Sequence, residues 1–323
     1  MPDKPATPHT IWYGASTTKA FVGTALAHLI DNKEYPLLSK GWSTPISSII
    51  HDDFILQDDW MTRNLTLEDA ACHRTGLPRH ELAIFREIDD KKTGPKDIVR
   101  NLRNLNITAE PRTKFMYCNL MYIVLSHVIE TITGKWLGQT LKELIWDPLG
   151  MDSTYFDLSD AANSHQHLST GYYWDEKDDA FKPVPPMEVS DYSGAGAVFS
   201  NVVDYAKWLK CLLHEASPFS SATHKDIQTP RIMGAMPIGP MDINMYGIGW
   251  QRTLYKGHIA YSHGGSNHAF GSQVIWLPEH KFGCVVFGNT SMTSMAAATV
   301  ISYRLIDDKL GIPEEKRYGF SKQ

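Results

Sequence analysis

The chain has 323 residues, 42% of them hydrophobic and 21% charged, with a net charge of −5. That supplies enough apolar sequence for a sizeable core, and too little basic charge for a nucleic-acid partner. No apolar stretch reaches the length of a membrane span, and the polar start MPDKPATPHT lacks the apolar core of a signal peptide.

The first 15 residues are polar and proline-rich and read as an extended lead-in. From Ser16 the pattern turns helical. Phe21, Val22, Ala25, Leu26, Leu29 and Ile30 form an apolar stripe that ends at Asp31-Asn32. Residues 36–65 are loop-rich, with a short element at Ile46–Ile50. Thr66-Leu67-Glu68-Asp69 is a capping box for a short helix that ends before Gly76-Leu77-Pro78. Further helices are predicted over Pro95–Leu105, over Asn119–Thr133 with Gly134 as its stop, and over Trp136–Trp146 with Asp147-Pro148 as its stop. Residues 151–195 are irregular, with hairpins near Tyr172-Tyr173-Trp174 and a long loop near Pro183–Pro186. Asn201–His214 is helical again, and 230–245 reads as a Pro-, Gly- and Met-rich loop. The period then shortens to two, which predicts strands over Tyr246–Thr253, His258–His263, Phe270–Leu277 and Phe282–Gly288. A last helix covers Ser294–Lys309. The layout predicts a helical lobe and an α/β lobe, with a site in the cleft between them.

Three patterns carry chemistry. Ser16-Thr17-Thr18-Lys19 opens a helix, where positions i and i+3 share a face, so an amine lies beside a hydroxyl. A serine is a poor nucleophile until a base takes its proton, and a buried lysine loses its charge readily. Tyr117-Cys118-Asn119 adds a phenol that can relay protons and an amide that can hold a substrate carbonyl. His263-Gly264-Gly265 forms one wall, whose glycines let a substrate approach the strand edge. The backbone N–H groups of Ser16 and Ser266 are the expected oxyanion donors. Each pattern alone is commonplace. Ser16 reads equally as a helix N-cap, Tyr117–Asn119 as a capped turn, and His263–Gly265 as a plain turn. Their agreement on one mechanism is what favours a serine acyl-transfer site.

Other chemistries find less support. His263/His268 and His165/His167 lack a third ligand at a standard spacing, so no metal is expected. Gly194-Ala195-Gly196 lacks the strand–turn–helix setting of a nucleotide loop, so no cofactor is expected either. Cys72, Cys118, Cys211 and Cys284 form no CxxC pair and read as free thiols of a reducing, cytoplasmic setting.

These three motifs, in this order, resemble the serine β-lactamase and penicillin-binding-protein superfamily on its class C side. That group includes D-alanyl-D-alanine carboxypeptidases, family VIII carboxylesterases and fungal acyltransferases. The counterparts of its S-x-x-K, S-D-N and K-T-G set are Ser16/Lys19, Tyr117/Asn119 and His263/Gly265. His73-Arg74-Thr75-Gly76-Leu77-Pro78, Asp147-Pro148-Leu149-Gly150-Met151, Gly194–Ser200 with Asp204, and Tyr246-Gly247-Ile248-Gly249-Trp250 are similar to lesser motifs of the group.

The resemblance implies one β-lactamase-like domain over 1–323, an antiparallel sheet flanked by helices plus an all-helical lobe. The helical lobe would span about 40–200, and the α/β lobe about 10–40 and 201–315. Relatives carry a helix and strands ahead of the S-x-x-K helix. Only 15 residues precede Ser16, so the sheet is expected to lack its usual N-terminal strands. The Phe282–Gly288 edge would then stay open, favouring a homodimer. His263 replaces the lysine that attracts a substrate carboxylate, which turns the expectation from penicillins toward small esters or acyl thioesters. The expected activity is therefore a serine hydrolase of esterase or transesterase type. An acyltransferase of secondary metabolism, a β-lactamase or D-amino peptidase, and an inactive binding relative are the alternatives. Met233, Met236, Ile238 and Met241 are expected to form a lip for an apolar acyl group.

Overall fold

The computed structural model describes residues 4–319 apart from 85, 86, 89 and 237–240. Alternation along the Phe270–Leu277 strand sets the layering. Val274 and Trp276 face the main core, while Ile275 and Leu277 face a second, smaller one. The sheet is six-stranded and antiparallel, in the order Phe282–Gly288, Phe270–Leu277, His258–Asn267, Gln251–Tyr255, Met241–Tyr246, Ile232–Met233. The Thr293–Lys309 helix covers the smaller core through Tyr303 and Ile306. On the main-core side lie the Thr18–Asn32, Asn119–Thr133 and Val202–His214 helices. This is the expected antiparallel sheet flanked by helices, with further helices beyond.

The Thr18–Asn32 helix is the pivot. Nearly all of its first twelve residues are buried, as expected of a helix that is apolar all round. It ends at Lys33, whose φ of 59° is left-handed. Asn119–Thr133 is likewise buried over its first eleven residues and stops at Gly134 with φ 68°. Asn201 caps the Val202–His214 helix by accepting from the Asp204 N–H at 2.8 Å.

Several boundaries differ from the sequence reading. Ile46–Ser48 is a 3₁₀ turn, and Pro95–Asn101 passes into a 3₁₀ turn over Leu102–Asn104. Trp136–Trp146 divides into an α segment, Leu137–Leu141, and a π-helical turn, Lys142–Trp146. The stretch 230–245 is not simply a loop, because Ile232–Met233 pairs with Met245–Tyr246. The strand predicted over Tyr246–Thr253 breaks at 247–250 instead. Gly249 has φ +72° there, and any Cβ on it would sit 2.5 Å from the Lys19 carbonyl. Close approach of this turn to the pivot helix therefore interrupts the strand. Of the expected apolar lip, Met241 packs in the smaller core and accepts from Tyr303 Oη at 3.2 Å. Met233 and Met236 are exposed, and Ile238 lies outside the described residues.

Trp12–Tyr13 pairs with Phe199–Ser200 and not with the main sheet. Among the described residues, the outer edge of Phe282–Gly288 has no strand partner. Among them, too, no helix is long and apolar enough to cross a membrane.

Asp69 ties the site loops to this frame. The capping box forms: Thr66 Oγ1 accepts from the Asp69 N–H, and Asp69 accepts from the Thr66 N–H at 3.0 Å. The same carboxylate, with no exposed surface, accepts from Arg74 at 2.6 Å and Arg112 at 2.8 Å. Those arginines face each other at one end of a main-chain pairing, in which Arg112 N–H meets the Arg74 carbonyl and Met116 N–H meets the His73 carbonyl. Burial alone would raise the Asp69 pKa. Hydrogen bonds from Arg112, Thr66 and Arg74 outweigh it and hold the pKa below its ordinary value. The stabilisation is therefore complete above the ordinary carboxylate range and is lost as pH falls through the lowered value. Asp69→Ala should cost about 2–3 kcal/mol, since it removes the helix cap and the buried carboxylate shared by Arg112 and by Arg74, which keeps Glu68 at 2.5 Å. Urea denaturation at neutral pH checks this, and a loss below about 1 kcal/mol would contradict it.

Candidate active site

Lys19 stands on the first turn of the pivot helix and has no exposed surface. Its Nζ lies 2.6 Å from the Ala195 carbonyl oxygen, 2.7 Å from Asn119 Oδ1 and 3.2 Å from Ser16 Oγ. The first two partners can only accept. An uncharged amine has two N–H groups for them and a lone pair left over for the Ser16 hydroxyl. Burial favours that form, pushing the Lys19 pKa well below the ordinary lysine value. Glu81 opposes this shift and Arg79 adds to it.

Ser16 sits in a 3₁₀ turn, Ala15–Thr17, immediately before the helix, and its side chain is partly open to the cleft. Ala15 holds φ +47°, a conformation that costs a non-glycine residue about 1–2 kcal/mol. The surroundings hold it there. Gly14 N–H donates to the Val198 carbonyl at 2.8 Å, and the Gly14 carbonyl accepts from Ser272 Oγ at 2.8 Å and Thr17 Oγ1 at 2.9 Å. Thr18 Oγ1 donates to the Ala15 carbonyl at 2.7 Å.

Tyr117 stands beside Lys19, with its ring centroid 4.9 Å from Lys19 Nζ. Desolvation raises the phenol above its ordinary value, so it rests as a neutral phenol. Of the two neighbours of Ser16, the amine is thus the resting base. His73 backs Tyr117, with ring centroids 4.3 Å apart. Its Nδ1 accepts from the Cys118 N–H at 3.1 Å, and burial keeps its pKa well below the usual value.

Asn119 uses both ends of its amide. Oδ1 accepts from Lys19, while Nδ2 donates to both carboxylate oxygens of Glu81 at 3.1 Å. Glu81 also accepts from Arg79 Nε at 2.9 Å, and the Arg79 guanidinium lies 5.0 Å from the Tyr117 ring centroid.

The third wall is the His258–Asn267 strand. Its neighbour Gln251–Tyr255 covers it only as far as Ser262, so the edge from His263 to Asn267 extends beyond that cover toward Ser16. Gly265 allows the approach. A Cβ there would collide with the Gly14 carbonyl and the Ser272 hydroxyl, and would lie 3.1 Å from the Ser16 amide nitrogen. Gly264 faces the opposite side of the sheet, against Met295, and the main chain of Ser266 continues the same edge. His263 is buried. Its Nδ1 faces the Gly264 carbonyl at 2.7 Å and so carries the proton, leaving Nε2 to accept from Tyr246 Oη at 3.0 Å. Burial lowers its pKa to about 3, with a smaller push from Lys19, so the ring is neutral.

An apolar cavity of about 120 Å³ adjoins this wall, lined by Tyr13, Leu168, Met187, Val189, Phe199 and Phe270. Asn267 Nδ2, one residue beyond Ser266, reaches Tyr13 Oη at 3.4 Å.

The structure thus brings Ser16, Lys19, Tyr117, Asn119, His263 and Gly265 together, with the main chain of Ser266 continuing the same edge, whereas Gly264 turns to the opposite side of the sheet. Sequence reasoning missed Glu81, Arg79, the Ala195 carbonyl, Tyr246 and the backing role of His73. The Gly76-Leu77-Pro78 stretch was the available signal, because Arg79 and Glu81 follow it directly.

Residues 1–305 match the family model Beta-lactamase. A relative from Aspergillus campestris, named Unguisins hydrolase ungD′, is 40% identical over 100% of this chain and 60% of its own length. A second, from Aspergillus violaceofuscus, is 39% identical over 98% of this chain and 59% of its own length. The chain thus spans about 60% of the curated relatives it matches. The octameric penicillin-binding protein homologue from Pyrococcus abyssi superposes with a TM-score of 0.82 at 24% identity, over 97% of this chain and 69% of that one. EstCE1, a hydrolase with promiscuous acyltransferase activity, superposes with a TM-score of 0.76 at 17% identity, over 95% of this chain and 86% of that one. The two superpositions show the fold. The chain belongs to the Beta-lactamase family of serine hydrolases.

Gly265→Ala should push the strand away from the Ser16 amide. We expect acylation of Ser16 to slow by on the order of 10²-fold, the effect of spoiling one oxyanion donor, and the melting temperature to fall, because the Gly14 carbonyl must shift to admit the methyl group. A change of less than a few-fold in acylation would contradict the close-approach argument.

Proposed function

We propose that this member of the Beta-lactamase family hydrolyses small neutral carboxylic esters through an acyl-enzyme on Ser16. The observation that carries the proposal is the setting of Lys19. Its amine is desolvated, donates to two carbonyl oxygens, and stands 3.2 Å from Ser16 Oγ, so the uncharged form keeps a lone pair for that hydroxyl. Lys19 takes the hydroxyl proton as Oγ bonds to the substrate carbonyl carbon. The Ser16 and Ser266 N–H groups receive the oxyanion. As the carbon–oxygen bond to the alcohol breaks, the Tyr117 phenol gives its proton to the leaving oxygen and is reprotonated from the Lys19 ammonium. Water then attacks the acyl carbon with Lys19 again as base, and the Lys19 ammonium returns that proton to Ser16 Oγ as the acyl–oxygen bond breaks, releasing the acid and free Ser16. An alcohol in place of that water would make the same intermediate transfer its acyl group.

The charge balance of the cleft supports neutral substrates. His263 carries no charge near neutral pH, and Arg79 is paired with Glu81 at 2.9 Å. No unbalanced cation is therefore offered to a substrate carboxylate from these groups. The cavity of about 120 Å³ behind Tyr13 suits a short acyl chain. A second reading rests on the 40% identical relative, whose name makes an unguisin the substrate to try.

We also propose self-association through the Phe282–Gly288 edge, whose outer N–H and C=O groups face no strand among the described residues. Light scattering coupled to size exclusion tests it. A dimer that Val285→Pro dissolves is expected, and a monomer at all concentrations would contradict it.

For the reaction, a fluorophosphonate probe should add one label at Ser16, read by intact mass. Ser16→Ala should remove both the label and p-nitrophenyl acetate turnover without altering the fold. The unmodified chain should show higher kcat/KM on p-nitrophenyl acetate or butyrate than on penicillin G. Persistent turnover in Ser16→Ala would overturn the nucleophile assignment, and preference for penicillin G would overturn the substrate class.

A further inference from the structure

Away from the cleft, two hairpin ends bring together three metal-ligating side chains. His258 opens the His258–Asn267 strand, and Glu279 and His280 lie in the 3₁₀ turn Pro278–His280 that joins the next two strands. The pairing of the His258–Asn267 and Phe270–Leu277 strands runs out at Tyr261 and Trp276, and the turn that follows Leu277 brings its side chains back over the start of the His258 strand. His258 Nδ1 and His280 Nε2 are 3.0 Å apart, and a Glu279 carboxylate oxygen lies within 4.8 Å of both.

We propose that His258, Glu279 and His280 form a site for one divalent cation of the zinc type. Two imidazole nitrogens bound to one ion at about 2.0–2.1 Å stand about 2.9–3.4 Å apart, from square to tetrahedral angles. The spacing of 3.0 Å lies at the lower end of that range, and the two rings part by about 0.3–0.4 Å to reach the tetrahedral angle that zinc takes. Two nitrogens with one carboxylate oxygen suit a borderline ion such as Zn²⁺ over Mg²⁺ or Ca²⁺, which prefer all-oxygen sites. Glu279 is exposed, so its carboxylate can swing the remaining distance without disturbing packing. The two imidazoles are partly buried on strand and turn backbone, which fixes their spacing.

Nearby cations are engaged elsewhere. Lys281 Nζ donates to the Leu213 carbonyl at 2.6 Å, and Lys256 Nζ pairs with Asp307 at 2.6 Å. Neither of these contacts directs positive charge between the imidazoles. Eight residues of strand separate His258 from Ser266, on the order of 27 Å at about 3.4 Å per residue. The ion would thus act as a staple across two hairpin ends, remote from the chemistry.

Isothermal titration of the metal-free chain with ZnCl₂ tests this. One Zn²⁺ per chain should bind in the micromolar range and raise the melting temperature, and MgCl₂ should do neither. His258→Ala/His280→Ala should lose both effects while its metal-free melting curve stays close to that of the unmodified chain. If that variant proves unstable, Glu279→Gln serves instead and should bind Zn²⁺ more weakly. No zinc binding by the unmodified chain, or undiminished binding by the variants, would overturn the site and leave a simple histidine–histidine hydrogen bond.

Discussion

The cleft is organised around one buried amine. A charged lysine with no exposed surface would be costly, and the fold surrounds Lys19 with two carbonyl acceptors and the Ser16 hydroxyl. Each partner comes from a different part of the chain. Ser16 belongs to the preceding turn, Asn119 to the start of a second buried helix, and Ala195 to a 3₁₀ turn that includes Ser193 with φ 40°. Moving any one of them would leave a polar group in the interior without a partner. The requirement to satisfy Lys19 therefore fixes the mutual placement of three elements.

A second layer neutralises the cleft. Asn119 passes the influence of Lys19 to Glu81 through its amide, and Glu81 is balanced by Arg79. His73 and His263 are both kept neutral by burial, each with one ring nitrogen engaged by main chain. Two histidines and a tyrosine that could have carried charge at the nucleophile thus carry none. The cleft is polar in its hydrogen bonds and nearly neutral in its charge, which suits a neutral carbonyl substrate.

The sequence made local relations legible. Ser16 and Lys19 are one helical turn apart, Tyr117 and Asn119 bracket a helix start, and the capping box at Thr66–Asp69 is a self-contained pattern. All appear in the structure as their spacing implied. Relations that arise only on folding were not legible. The Ala195 carbonyl is main chain and leaves no residue signature. Glu81 lies 38 positions from Asn119, and only its place just after Gly76-Leu77-Pro78 points to it. The strand break at 247–250 depends on contact between Gly249 and the Lys19 carbonyl, a pairing between distant segments. His258 and His280 meet where a turn folds back over a strand start, so a search for ligands at helix or knuckle spacing passes over them.

The central claim is that Lys19 is an uncharged amine when Ser16 reacts. NMR titration of the chain labelled with ¹³C and ¹⁵N in its lysine side chains, with Lys19→Arg to assign the resonance, measures this directly. The account predicts that one lysine, absent from the variant, titrates well below the ordinary lysine value near 10.4. A Lys19 resonance that titrates at or above that value would contradict it.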